Sequence, residues 1–130
     1  LLSIHSDSCI DASGYKSSRY VDSTIPDIAD RLITCINLNY EAATGLTENI
    51  DTITENMTEY HAFHQIDART PAAIIELGFL GGDNDLLANR QDVLAKGVAD
   101  GLLCFLNGGP QPTPAPAPTL DVTPTAESTE

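Results

Sequence analysis

The sequence predicts an α/β fold, a three-layer sandwich in which a mostly parallel sheet is flanked by helices. Short apolar runs that suit buried strands alternate with two longer segments of helical periodicity. Residues 72–77 are small and β-branched, and Pro71 and Gly78 bound them. Three strand candidates are few for a parallel sheet that needs cover on both faces. We therefore expect N-terminal strands of this fold to be absent from the chain.

The composition predicts one small acidic domain and a tail. The sequence divides into a domain over residues 1–107 and a Pro/Thr-rich linker or tail over 108–130, predicted to be disordered. Six basic and nineteen acidic residues give a net charge of −13, which argues against nucleic acid as a partner. No apolar run reaches the ~18 residues that a membrane span requires.

The first half of the domain is predicted as strand, loop and helix. Residues 1–5 form a buried strand that ends at a polar turn, and 9–24 form an irregular loop. Lys16 and Arg19 in this loop either contact an anionic group of a substrate or are simply solvated. A helix follows over 26–40, capped by Ser23 or Thr24, with Pro26 in its first turn.

The second half is predicted as loop, two strands and a helix. Residues 46–59 are polar and form either an active-site loop or a surface excursion with a short helix. Alternation predicts a strand over 60–66, which would turn His61 and His64 to opposite faces and prevent them from sharing a metal. After strand 72–77, Gly81 to Asn84 form a turn and helix cap. The last helix spans 85–106, and Gly97 and Gly101 allow it to approach the sheet closely.

The three cysteines match no metal-binding spacing. Cys35 and Cys104 lie on apolar helix faces and are predicted to be small core residues. The sequence does not decide whether Cys9 forms a disulfide.

Two polar residues stand at the ends of predicted buried strands, His5 and Glu76. A buried carboxylate needs a strong partner or a place at a strand's C-terminal edge, so Glu76 is either a structural carboxylate or a general acid/base. His5 alone is either a hydrogen-bonded core residue or a metal ligand. If both strands belong to one parallel sheet, both side chains emerge at the same edge. An imidazole beside a carboxylate is what a mononuclear zinc hydrolase requires.

Two segments resemble one family. Ser3-Ile4-His5-Ser6-Asp7 resembles the Ser-Ile-His-Ala-Asn/Asp segment of the zinc-dependent N-acetylmuramoyl-L-alanine amidases of the type 3 amidase domain. Residues 71–80 resemble the closing Pro-Ala-x-x-x-Glu-x-Gly-Phe segment of that family. The similarity covers about residues 1–106, and it identifies them as the C-terminal part of an amidase-like catalytic domain.

The resemblance implies a function and its residues. His5 would be a ligand of Zn²⁺ and Glu76 the catalytic carboxylate. The reaction would hydrolyse the amide bond between N-acetylmuramic acid and L-alanine in peptidoglycan. The protein would be exported from a bacterium and act extracellularly or at the cell wall. The family's other two zinc ligands precede the matched segment, so this chain alone is expected to hold zinc poorly and to be inactive.

Two other functions remain open at this stage. The first is a non-catalytic cell-wall-binding module that kept the amidase fold but lost its metal. The second is a surface-anchoring α/β domain with no hydrolytic role. It predicts His5 and Glu76 farther apart than ~8 Å, since proton transfer requires hydrogen-bond distances.

Overall fold

The computed structural model describes residues 1–110. The rest of the predicted tail, 111–130, lies outside the described residues. The elements in chain order are β1 (Leu2–Asp7), β2 (Lys16–Arg19), α1 (Pro26–Thr44), α2 (Glu55–Thr58), β3 (Ala73–Phe79), α3 (Asn84–Asn89) and α4 (Gln91–Leu106), with short 3₁₀ segments at Ile50–Thr52 and His61–Gln65. Within this part of the chain, every helix is too short or too polar to cross a membrane.

The sheet has three strands in the order β1-β3-β2 and is mixed. β1 runs parallel to β3, as predicted, and the two strands pair from Leu2 with Ala73 onward. β2 runs antiparallel to β3. The α/β class is confirmed, but the described sheet is only half parallel. The three-layer sandwich and the N-terminal strands beyond this chain stay predictions.

Two predicted elements are wrong. The predicted loop 9–24 contains β2, whose residues are polar and therefore show no apolar alternation. The predicted strand 60–66 is instead the 3₁₀ segment His61–Gln65. In that segment Phe63 turns inward and packs on Ile74, while His61 and His64 stay exposed.

Helix boundaries follow the prediction more closely, with two corrections. Pro26 begins α1, which continues to Thr44 and ends at Gly45 in a left-handed conformation with φ 75°. Neither predicted cap holds: Ser23 Oγ accepts a bond from the Ile25 amide, and Thr24 donates to the Ala68 carbonyl. The predicted final helix is divided at Arg90 into α3 and α4.

The two faces of the sheet carry separate apolar clusters. On one face, Ala73 and Ile75 of β3 pack against α1 and α4. On the other, Ile74 packs against Met57 of α2 and against Phe63. The long helices thus cover one face, and the irregular segment between α1 and β3 covers part of the other.

Helices α1 and α4 lie in close contact. A Cβ atom on Gly101 would lie 2.8 Å from the Ile36 Cα, and one on Gly97 would lie 3.0 Å from the Tyr40 Cα. These glycines therefore permit close approach to α1, not to the sheet as predicted. The same pair of helices is joined by a disulfide between Cys35 and Cys104. Cys35 is buried in the core as predicted, but the prediction of small core residues did not include this bond. Cys9 is free and exposed.

We predict that reducing the Cys35–Cys104 disulfide lowers the free energy of unfolding by about 4 kcal/mol. The bond joins residues 69 positions apart, and closing so long a loop removes much entropy from the unfolded chain. Urea unfolding of the oxidised and reduced protein measures the difference. A Cys9→Ser background prevents disulfide exchange. Superimposable unfolding curves in that background would contradict the prediction.

Candidate active site

His5 and Glu76 lie directly opposite each other on neighbouring strands. In the parallel pairing of β1 with β3, the Cα atoms of these two residues are register partners. Because strand side chains alternate, both point to the face that carries Ile74. The structure therefore brings together the two residues singled out in the sequence, on one face of one sheet. The surface-anchoring alternative predicts these residues farther apart than ~8 Å, whereas they are register partners on hydrogen-bonded strands, which lie about 5 Å apart.

The His5 ring is held by Tyr60. The Tyr60 hydroxyl lies 3.1 Å from the His5 Nε2 atom, and the two rings meet edge to face with centroids 5.2 Å apart. The His61 ring also contacts Tyr60, with ring centroids 4.4 Å apart and the ring planes tilted by 55°. His64 lies elsewhere, against Tyr20. The imidazole of His5 is exposed, so a ligand from solvent can reach it.

Glu76 has a half-buried carboxylate, and one of its oxygens has no partner among the described residues. Its Oε2 atom is buried and has no hydrogen-bond partner among the described residues. Burial raises the pKa of Glu76, the nearby Asp7 charge raises it further, and His5 and Lys16 oppose the rise. A carboxylate with a raised pKa and an unpartnered oxygen is suited to accept and release a proton.

A buried ion pair borders Glu76 on the β2 side. Lys16 is the antiparallel register partner of Glu76, and its Nζ lies 2.5 Å from Asp7 Oδ2. The same ammonium donates to the Thr52 carbonyl at 2.7 Å. Burial acts to raise the pKa of Asp7, but the hydrogen bonds from Lys16 and Ser8 and the positive charge of Lys16 together outweigh it, and the pKa lies below the usual value. Lys16 is thus neither solvated nor free to bind a substrate anion.

Arg19 is also engaged within the fold. Its Nε lies 2.5 Å from Asp30 of α1, so its guanidinium ties β2 to that helix. An anion-binding role for the two basic residues of this segment has no support in their contacts.

A second buried carboxylate, Asp83, lies just beyond the end of β3. Asp83 is 6% exposed and accepts bonds from Ser13 Oγ at 2.5 Å, the Phe79 amide at 2.9 Å and the Gly14 amide at 3.1 Å. Predicted as part of a helix cap, it makes no side-chain bond to α3. It instead ties the end of β3 to the segment that leads into β2.

The residues present fit one part of a zinc site. A catalytic zinc ion takes three protein ligands and keeps one position open. Within residues 1–110, no group of three His, Cys, Asp or Glu side chains is placed to hold a metal ion. His5 offers one accessible imidazole, and the unpartnered oxygen of Glu76 lies on the same face. These residues can supply one ligand and one base, but they do not complete a metal site.

Sequence reasoning did not single out Tyr60 or Asp7 as parts of the site, and for Lys16 it offered only a substrate anion or solvent as a partner. Asp7 lies in the predicted polar turn, yet β1 continues through it. Lys16 lies in a strand without alternating apolar and polar residues, so the sequence pattern did not indicate its burial. Tyr60 was assigned to a strand. The one available signal was its position next to His61 in a segment rich in aromatic residues.

The described residues share their fold with several solved structures. Comparison with solved structures finds N-acetylmuramoyl-L-alanine amidases, which confirms at the level of fold the resemblance inferred from the two segments. No family model and no curated protein matches the chain.

Three of the similar structures come from different bacteria. One is the N-acetylmuramoyl-L-alanine amidase from Clostridium difficile 630, with a TM-score of 0.63 and 21% identity. Another is the amidase AmiC2 of Nostoc punctiforme, with a TM-score of 0.58 and 25% identity. Each match covers 82% of this chain and 57% of the other. The catalytic domain of CwlV from Bacillus (Paenibacillus) polymyxa var. colistinus has a TM-score of 0.54, 21% identity and coverage of 82% and 56%. The chain thus spans little more than half the length of these amidases.

We predict that Asp7→Asn destabilises the protein by about 1–3 kcal/mol at pH 7, because it removes the carboxylate partner of the buried Lys16 ammonium. The folded-state pKa of Asp7 lies below its ordinary value of 3.8. The stabilisation is therefore complete above pH 3.8 and is lost as the pH falls through the folded pKa. Urea unfolding between pH 2 and 7 measures both effects. The double variant Asp7→Asn/Lys16→Met should recover much of the loss, and failure to do so would contradict the ion-pair explanation.

We predict that Glu76→Gln makes the folded protein more stable at pH 7. The folded-state pKa of Glu76 lies above 4.5, so the native state binds more protons than the unfolded state as the pH rises past that value. Wild-type stability falls over that interval, whereas the amide does not ionise. The advantage of Glu76→Gln should therefore vanish below pH 4.5. Glu59→Gln, at an exposed position, controls for the loss of one negative charge. Destabilisation of Glu76→Gln at pH 7 would mean that the carboxylate is structural.

Proposed function

We propose that this chain is part of a zinc-dependent amidase that hydrolyses the bond between N-acetylmuramic acid and L-alanine in peptidoglycan. The observation that carries the proposal is the pairing of His5 with Glu76 on one face of a sheet, within a fold shared with N-acetylmuramoyl-L-alanine amidases. Since the chain spans 57% of the first of these structures, we propose that the other metal ligands come from the part of the amidase fold that it does not span.

In this proposal each residue has a separate task. His5 would hold the metal, and Tyr60 would restrain the orientation of its ring, as hydrogen-bonding partners of metal-ligating imidazoles do. Zinc, when bound, would polarise the substrate carbonyl and increase the acidity of the attacking water. Glu76 would take the proton from that water and deliver it to the leaving nitrogen of L-alanine. The Lys16–Asp7 pair would keep Lys16 from neutralising Glu76.

The protein is proposed to be exported by a bacterium and to act at the cell wall. The Cys35–Cys104 disulfide supports this part of the proposal, because disulfides form and persist in oxidising compartments outside the cytosol. The substrate would be peptidoglycan, the polymer in which this amide bond occurs.

A non-catalytic wall-binding module is the second candidate. The observation in its favour is that residues 1–110 hold no group of three metal donors. It predicts binding to peptidoglycan without release of peptides.

We predict that Glu76→Gln in the full-length protein lowers peptide release from purified peptidoglycan by roughly 10²–10⁴-fold, the usual contribution of a general base. Mass spectrometry of peptides with a free N-terminal alanine measures the rate. Zinc content should be unchanged in Glu76→Gln and reduced in His5→Ala. Turnover of Glu76→Gln at the wild-type rate would refute the mechanism. Co-sedimentation with peptidoglycan but no released peptide from the wild type would favour the binding module.

A further inference from the structure

The pairing of β1 with β3 becomes irregular immediately after the candidate site. His5 pairs with Glu76. The next pair joins Asp7 to Phe79, so an advance of two residues along β1 corresponds to three along β3. Such a bulge disrupts the hydrogen-bonded ladder locally. The Leu80 amide donates to the Asp7 carbonyl at 3.4 Å, which is long for a bond between backbone groups. Regular strand pairing therefore fixes the site from one side only.

An ion pair spans the sheet next to this bulge. Lys16 belongs to β2 and Asp7 to the end of β1. These are the two outer strands, which lie about 10 Å apart at ~4.8 Å for each strand spacing. The Lys16 Nζ atom lies 5.4 Å from the centre of the Phe79 ring, so the side chain crosses β3 close to that residue. Lys16 projects from the same face as its register partner Glu76. The ion pair thus borders Glu76 toward the end of β3.

The same ammonium also holds the segment that leads to Tyr60. Lys16 Nζ donates to the Thr52 carbonyl at 2.7 Å, and the Thr52 hydroxyl donates to the Asn49 carbonyl at 2.9 Å. This 3₁₀ segment precedes α2, and Tyr60 follows the end of α2 by two residues. Lys16 therefore connects both outer strands with the segment whose tyrosine hydroxyl contacts the His5 ring.

Lys16 does not contact substrate itself. It is 5% exposed, and the contacts of its ammonium lie inside the fold. Stability alone does not account for a lysine here, because replacing a buried ion pair by apolar side chains of similar volume is often neutral or stabilising. A charge-assisted hydrogen bond differs from an apolar contact in having a preferred distance and direction.

We propose that Lys16 is a positioning residue of the candidate site. Held by Asp7 and by the Thr52 carbonyl, its ammonium fixes the spacing of the His5 imidazole and the Glu76 carboxylate where the strand pairing is irregular. The inference deepens the proposed function and rests on it for the effect on turnover. The spacing itself can be measured without metal and without substrate.

The test compares two double variants of the purified chain, each of which removes one ion pair from β2. Lys16→Met/Asp7→Asn removes the pair across β3, and Arg19→Met/Asp30→Asn removes the pair that ties the same strand to α1. Urea midpoints establish that both variants fold with comparable stability. If Lys16→Met/Asp7→Asn does not fold, Lys16→Met alone replaces it, because water can then reach the partly exposed Asp7 carboxylate.

Side-chain NOE contacts measured by NMR without zinc report the spacing. In Lys16→Met/Asp7→Asn we expect loss of the contacts between His5 and Glu76. We also expect loss of those between the His5 and Tyr60 rings, whose centroids lie 5.2 Å apart in the native chain. The control variant should retain both sets of contacts.

Turnover by the full-length protein at saturating zinc gives the second readout. Lys16→Met/Asp7→Asn should lower kcat by roughly 10²-fold, the cost of displacing a reacting group by ~1 Å. KM should be unchanged, because Lys16 is buried and does not contact substrate. Arg19→Met/Asp30→Asn should have the wild-type kcat.

Each outcome decides the inference. Wild-type NOE contacts in Lys16→Met/Asp7→Asn would overturn it, as would equal losses in the control variant. A raised KM with an unchanged kcat would also overturn it, since Lys16 would then serve substrate binding. If the wild-type full-length protein releases no peptide, the proposed function fails, and the NOE comparison on the purified chain still decides whether Lys16 sets the spacing.

Discussion

The parallel pairing of β1 with β3 sets the geometry of everything that surrounds the candidate site. It places His5 opposite Glu76, and the hydrogen-bonded ladder does not permit a small adjustment of this relation. A slip of one residue would turn every side chain of one strand to the other face, sending His5 toward the helices. Such a slip would also turn Ile4 to the face of His5 and Glu76, away from Leu94 and Leu102 of α4. The apolar packing of the sheet therefore enforces the position of a polar pair.

Two buried charged residues, Asp83 and Lys16, connect segments of the domain that lie far apart in sequence. Asp83 joins the end of β3 to Ser13 and Gly14, and Lys16 joins β2 to Asp7 and to the Thr52 carbonyl. Both groups have ionised or hydrogen-bonded partners, which is the condition for burying a charge without a large loss of stability. Two buried carboxylate oxygens lack a hydrogen bond among residues 1–110, Asp7 Oδ2 and Glu76 Oε2, but Asp7 has Lys16 as an ion-pair partner and Glu76 has none there. Asp83 and Asp7 thus stabilise the fold through their partners, whereas the carboxylate of Glu76 is available for catalysis.

Sequence reasoning was successful where residues act locally and failed where partners are distant. β1, β3 and α1 are runs whose apolar periodicity or flanking Pro and Gly residues determine their structure, and the pairing of His5 with Glu76 followed from β1 and β3 being parallel neighbours. β2 shows no such period, because its stability comes from contacts such as Lys16 with Asp7. The segment around Phe63 alternates like a strand, yet the burial of that one ring selects a 3₁₀ turn. The Cys35–Cys104 bond depended on how α1 and α4 cross, which periodicity does not encode.

The antiparallel direction of β2 has a consequence for how the protein tolerates sequence change. The strand has four residues, and its first, Lys16, lies opposite Glu76, whereas its last, Arg19, lies opposite Ala73. Because the pairing of β2 with β3 fixes this register, exchange of side chains can alter the contacts at either end of the strand. The distance between the two ends changes only by insertion or deletion within the paired residues.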